Sequence, residues 1–218
     1  ALVPRAGVYA ALMGYAVIPL LSSAWLLLQL RNVVPGLKLV RRHLRFSLAA
    51  LALGLTTVVG LRIDKVLIGY LYGDAALGYY QLAFQFFMAL SVIPTSLRAY
   101  LLPEKSSGSR TRMAELAGVA VSVLAAAAGI ALIPWVVKKF FPNFYPTSAR
   151  AAQITSVGVI PSSIFSIWSS KLLSEERPVP VLVINALSLV VLAVSICMLG
   201  QSMGVTGLAA SLVLYRTS

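Results

Sequence analysis

The sequence predicts an all-α protein, a polytopic transmembrane helix bundle of about seven helices. Three observations predict it. Of 218 residues, 59% are hydrophobic and only 11% are charged, against about a quarter in soluble domains. The mean hydropathy is +0.90, so lipid must be the solvent for much of the surface. Finally, the apolar runs are long enough to span a bilayer and lack the ten-residue alternation of barrel strands.

A hydrocarbon core of about 30 Å needs about 20 helical residues. On that criterion the expected segments are 6–30, 46–72, 75–101, 114–137, 150–172, 178–200 and a short one at 204–216. The second is interrupted by Arg62, Asp64 and Lys65. Its charge-free part, Phe46 to Leu61, amounts to only about 24 Å of helix, so the span is expected to continue to Tyr72. Regular spacing would put Arg62 and Lys65 on one face and Asp64 on another. Pro94 and Pro161 lie well inside their spans, where each removes a backbone hydrogen bond and marks a kink or hinge. The break between the last two segments is placed at Gly200 and Gly204. The chain begins at Ala1 rather than Met and stops in a short span, which reads as a piece of a longer protein.

The net charge of +12 does not indicate nucleic acid, because the cations cluster between apolar runs. Their distribution gives an orientation instead. Alternate loops hold Arg31, Lys38, Arg41, Arg42 and Arg45, then Lys105, Arg110 and Arg112, then Lys171 and Arg177, and finally Arg216. The opposite loops hold only Arg5, Lys138, Lys139 and Arg150. The expectation is a multi-pass inner-membrane protein with its 31–45 loop in the cytoplasm. The 138–150 turn would then be external, with Phe140, Phe141, Phe144 and Tyr145 at the interface.

Polar residues run in stripes through several spans. Gln81, Gln85, Ser91, Thr95 and Arg98 share one helix face, with Met88 between them. Ser162, Ser166 and Ser169 form another stripe, and Asn185, Ser188 and Ser195 a third. Hydrogen bonding between packed helices accounts best for Ser and Thr, whereas Gln81, Gln85 and Arg98 lean towards a polar cavity. No catalytic set, cofactor motif or metal-ligand spacing is present, so no enzyme and no cofactor are expected. The lone Cys197, in an apolar run, reads as a packing residue.

The run RIDKVLIGYLYGDAALGYYQLAFQF, followed by IPTSLRAYLLPEKS, resembles the opening helix pair of the second lobe in polysaccharide flippases. These belong to the multidrug/oligosaccharidyl-lipid/polysaccharide exporter superfamily. The residues that carry the resemblance are Arg62, Asp64, Gly73, Gly78, Tyr79, Ala83 and Pro103. KFFPNFYPTSARAAQI is similar to a further turn of the family, with Pro142 or Asn143 where the family has glycine. MGVTGLAASLVLY resembles the start of a later helix.

The resemblance implies that 1–45 comprises the last first-lobe helix and a basic linker, and that 46–218 is the second-lobe bundle of a transporter of about twelve to fourteen helices. It implies transport of a lipid-linked oligosaccharide or polysaccharide precursor across the cytoplasmic membrane by alternating access. The implied partners are the bilayer, a polyprenyl-linked sugar and the other lobe. An anionic pyrophosphate-sugar head would need cations and polar partners: Arg62, Lys65 and Arg98 for charge, Gln81, Gln85 and Asn185 for sugar hydroxyls. Asp64 is expected to be structural. A drug or cation antiporter of the same superfamily is disfavoured, because the intramembrane excess is positive. A non-transporting membrane scaffold would leave the stripes packed, with no cavity.

Overall fold

A computed structural model describes residues 17, 20–25, 28–29, 37–108 and 110–217. Of the expected first span, 17, 20–25 and 28–29 are helical, and the rest of 6–30 lies outside the described residues, as do 31–36 of the basic loop. The helices are α1 (Leu37–Gly60), α2 (Ile63–Leu90), α3 (Val92–Ser106), α4 (Arg112–Phe140), α5 (Thr147–Val157), α6 (Val159–Ser174), α7 (Pro178–Met203) and α8 (Val205–Thr217), with a 3₁₀ turn at Pro142–Phe144. No strand occurs among the described residues. The chain divides into two units, Ala1–Leu44 and Arg45–Ser218. In the first, Leu20, Leu21, Trp25 and Leu28 are exposed.

Within α2 the chain reverses. Gly73 has φ 80° and ψ 175°, a region essentially reserved for glycine. The Tyr80 hydroxyl donates to Asp64 Oδ2 at 2.7 Å, although a straight helix would separate residues this far apart by about 24 Å. The arms 63–72 and 74–90 are therefore an antiparallel hairpin, and the expected spans 46–72 and 75–101 meet at this glycine. A Cβ on Gly73 would meet no atom within 4 Å, so the cost of a side chain there is purely backbone strain. Gly73→Ala is expected to destabilise the bundle by about 1–3 kcal/mol, read as a lowered unfolding midpoint in detergent.

Pro94 and Pro161 each break their span where the missing N–H would have bonded, whereas Pro134 lies within the continuous α4. Pro94 cannot donate to Leu90, and α2 ends at Leu90. Pro161 cannot donate to Val157, and α5 ends at Val157. The joints are single residues, Ser91 (φ −68°, ψ −6°) and Gly158 (φ −62°, ψ −13°), so each pair of helices bends rather than turns back.

The interior is built from small residues, as expected where close packing rather than water drives helix association. Ala149, Ala151 and Ala152 of α5 are buried against Ala83 of α2 and Ala209 of α8. Gly118 of α4 lies against Leu97, and Gly129 against Ser156. Ser122 and Ser163 join α4 to α6 through a 2.6 Å hydrogen bond. Most other serine hydroxyls in the spans bond carbonyls of their own helix, such as Ser170 to Ser166 and Ser188 to Ile184. A second cluster gathers Ile68, Tyr80, Phe84 and Phe87 of α2 with Leu192 and Ile196 of α7 and Leu208 and Leu212 of α8.

Large apolar side chains instead cover the outside, Leu124, Leu132, Val190 and Met198 among them. Three helical stretches, Arg112–Phe140, Thr147–Ser174 and Pro178–Met203, are long and apolar enough to cross a membrane. This is a helical membrane protein. Cys197 departs from its expected role: it is exposed on α7, and its neighbour Ile196 takes the core position.

Candidate functional site

A cavity of about 300 Å³ opens beside the Pro94 break. Ser91, Pro94, Thr95 and Arg98 form one wall. Ser162, Phe165 and Ser166 of α6 form the second, and Asn185 of α7 with Tyr215 and Arg216 of α8 the third. Thr57 of α1, Leu61, and Met88 of α2 complete it. Two proline breaks three residues or fewer from lining positions thus shape this part of the bundle, where straight helices would pack more closely.

The hydrogen bonds decide what the cavity offers a guest. Thr57, Ser91, Thr95 and Ser162 each donate their hydroxyl proton to the carbonyl four residues back in the chain, at 2.7–2.8 Å. Their oxygens remain acceptors, but their protons are committed. The amide of Asn185 and the guanidinium groups of Arg98 and Arg216 are the strong donors in the lining, which also includes Ser166 and Tyr215. No acidic side chain lines the cavity.

Arg98 is half-buried. The Arg216 guanidinium lies 4.8 Å from the Tyr215 ring centroid and 5.7 Å from that of Phe87. Its buried Nε finds no acceptor among the described residues. Two planar cationic forks and an amide, with no acid among the described lining residues, suit a phosphate or pyrophosphate group.

Of the residues expected from sequence to contact substrate, the structure brings Arg98 and Asn185 together, with Pro94 beside them. Gln81 is half-buried and Gln85 exposed, and neither lines the cavity. Pro161 sits in the first turn of α6, outside the lining. Arg62 is exposed at the break between α1 and α2, with φ −123°, so helical spacing does not place it on a face with Lys65.

Lys65 is turned inward. Its ammonium lies 3.0 and 3.1 Å from the two Asp64 carboxylate oxygens and donates to the Leu61 carbonyl at 2.9 Å. It also lies 3.4 Å from the centroid of the Phe84 ring. Asp64 is fully buried, and its carboxylate additionally accepts the Tyr80 hydroxyl and the Lys65 backbone N–H. The pair pins the two arms of the α2 hairpin together, a position that suits a structural role for Asp64.

Charge distribution groups Arg216 with the basic loops; the structure places it in the last turn of α8, where it also lines the cavity. From Val205, α8 rises only about 17 Å to reach residue 216, roughly half of a hydrocarbon core. The shortness of the last segment was the available signal. Among the described residues no group of three or more His, Cys, Asp or Glu could hold a metal ion.

A family model described as polysaccharide biosynthesis protein matches residues 2–103, just under half of the chain. Arg62, Asp64, Gly73, Gly78, Tyr79, Ala83 and Pro103 fall inside the matched stretch, and the motifs at 139–154 and 203–215 lie beyond it. No curated protein and no solved structure matches the chain.

Proposed function

With residues 2–103 carrying the pattern of the polysaccharide biosynthesis protein family as the premise, we propose that the protein is a transporter, not an enzyme. Its task is to move lipid-linked oligosaccharide or polysaccharide precursors across the cytoplasmic membrane. Residues 46–218 are its second lobe, 1–45 the end of the first lobe with a basic cytoplasmic linker, and the remainder of the first lobe faces the cavity. The observation that carries this reading is the cavity beside Pro94, with Arg98, Arg216 and Asn185 as donors and no acid.

The chemistry follows from charge. A pyrophosphate-sugar head cannot cross hydrocarbon unpaired, and guanidinium forks bind its oxygens in a site shielded from water. The oxygens of Ser91, Thr95 and Ser162 can accept hydrogen bonds from sugar hydroxyls. The joints at Ser91 and Gly158 let the lower halves of two spans swing against the upper halves, as alternating access requires.

The test uses the full-length transporter in sealed vesicles containing a fluorescent polyprenyl-pyrophosphate oligosaccharide. Flipping is read as loss of accessibility to an impermeant glycosidase. Transport of the anionic lipid, and none of a cationic dye, is expected. The reverse preference would establish an antiporter, and absence of both would leave a scaffold.

A further inference from the structure

A second, larger concavity of about 820 Å³ lies at the opposite end of α3 from the Pro94 break, between the start of α4 and the end of α6. It is separate from the cavity described above and shares no lining residue with it. Its rim is cationic, formed by Lys105, Arg112 and Lys171; its floor is apolar, formed by Leu116, Ile164 and Trp168.

Lys105 is held in place. It forms a 2.8 Å ion pair with Glu115 and donates to the Ile167 carbonyl at 3.1 Å, while Glu115 also accepts the Thr111 hydroxyl at 2.8 Å. Among the described residues Arg112 and Lys171 make no ion pair. With Glu115 and Glu175 as the only acids of the lining, three cations against two acids leave one net positive charge.

The polarity is graded in the same direction on both walls. Along α4 the lining passes from Arg112 to Leu116 to Val119, and along α6 from Lys171 to Trp168 to Ile164. Each passage goes from cation to hydrocarbon over about 10 Å of helix. Leu116 and Ile164 are 60% and 54% exposed, so the floor is open to whatever surrounds the spans. Both walls belong to stretches long and apolar enough to cross the membrane. Cations at the helix ends, tryptophan one turn deeper and open aliphatic surface below reproduce the layering of a lipid leaflet.

We propose that this groove holds one anionic phospholipid, from the leaflet that faces the 105–112 and 171–177 loops. Its phosphate sits between Arg112 and Lys171, and an acyl chain lies along Leu116, Ile164 and Trp168. The single negative charge of a phosphodiester matches the single positive excess of the lining. The open apolar floor favours a lipid over a soluble anion, which would leave that floor uncovered.

Native mass spectrometry of the full-length protein, titrated with phosphatidylglycerol in detergent, tests this. Arg112→Ala with Lys171→Ala should weaken phosphatidylglycerol binding by roughly 10- to 30-fold, because each cation near a headgroup contributes modestly. Trp168→Ala should weaken it by less, and Arg110→Ala, in the loop but outside the lining, should leave it unchanged. The charge-keeping pair Arg112→Lys with Lys171→Arg should retain the lipid, separating loss of charge from loss of fold. Three results overturn the assignment: undiminished binding by the double alanine variant, equal retention of phosphatidylcholine, or displacement of the lipid by glycerol 3-phosphate alone.

Discussion

Replacing Arg98 and Arg216 together with Ala is expected to slow flipping of the pyrophosphate-linked substrate by roughly 30-fold or more, since truncating one partner of a desolvated, hydrogen-bonded charge pair costs about 2–5 kcal/mol. Each single replacement should retain part of the activity, because the remaining guanidinium still answers part of the phosphate charge. Stability is expected to change little. The buried Arg216 Nε has no acceptor among the described residues, so removing that group relieves an unmet desolvation cost. Against this stands only its cation–π contact with Tyr215 and Phe87, about 0.5–2 kcal/mol. The measurement is the vesicle assay run beside thermal unfolding in detergent. Flipping at the wild-type rate by a folded double variant would remove the cavity arginines from the mechanism.

Asp64→Ala is expected to have the opposite profile, a large loss of stability. It would strip the Lys65 ammonium of its counter-ion while the side chain remains packed over Phe84, and it would leave the buried Tyr80 hydroxyl without its acceptor. Breaking a buried ion pair from one side costs about 3–5 kcal/mol, a large share of the total stability of an ordinary domain. The double replacement Asp64→Ala with Lys65→Met should recover most of that loss, because it removes the stranded charge along with its partner. Denaturant or thermal unfolding of the four proteins of this cycle gives the coupling directly. Equal losses in the single and double variants would mean that the hairpin is held by something other than this pair.

The two expectations divide the charges of the spans into separate jobs, and the division was only half legible in the sequence. That Arg62, Asp64 and Lys65 interrupt an apolar run can be read from the letters. That Lys65 folds back onto its own neighbour cannot, because helical spacing puts positions 64 and 65 on different faces. The reach of a lysine side chain and the break at Leu61–Arg62 override that spacing. The polar stripe from Gln81 to Arg98 was likewise visible, but it divides at the Pro94 break. Its part from Met88 onward lines the cavity, and Gln81 and Gln85 do not. A helical wheel assumes one straight axis, and a proline joint gives the two halves different axes.

The class and the punctuation of this protein can be read from its residues in order. Composition and run length demand a membrane bundle, because backbone groups in hydrocarbon must be satisfied within helices. The gap between the expected spans 46–72 and 75–101 falls where the chain turns at Gly73, and Pro94 and Pro161 mark the joints by the hydrogen bonds they cannot make. Which polar residues meet depends on packing in three dimensions. Arg98, Asn185 and Arg216 are distant in the chain and lie on three helices, and each obeys only its own local periodicity. Their convergence depends on how the bent spans and the short α8 pack, through contacts between alanines, glycines and serines that carry no directional signature in the sequence.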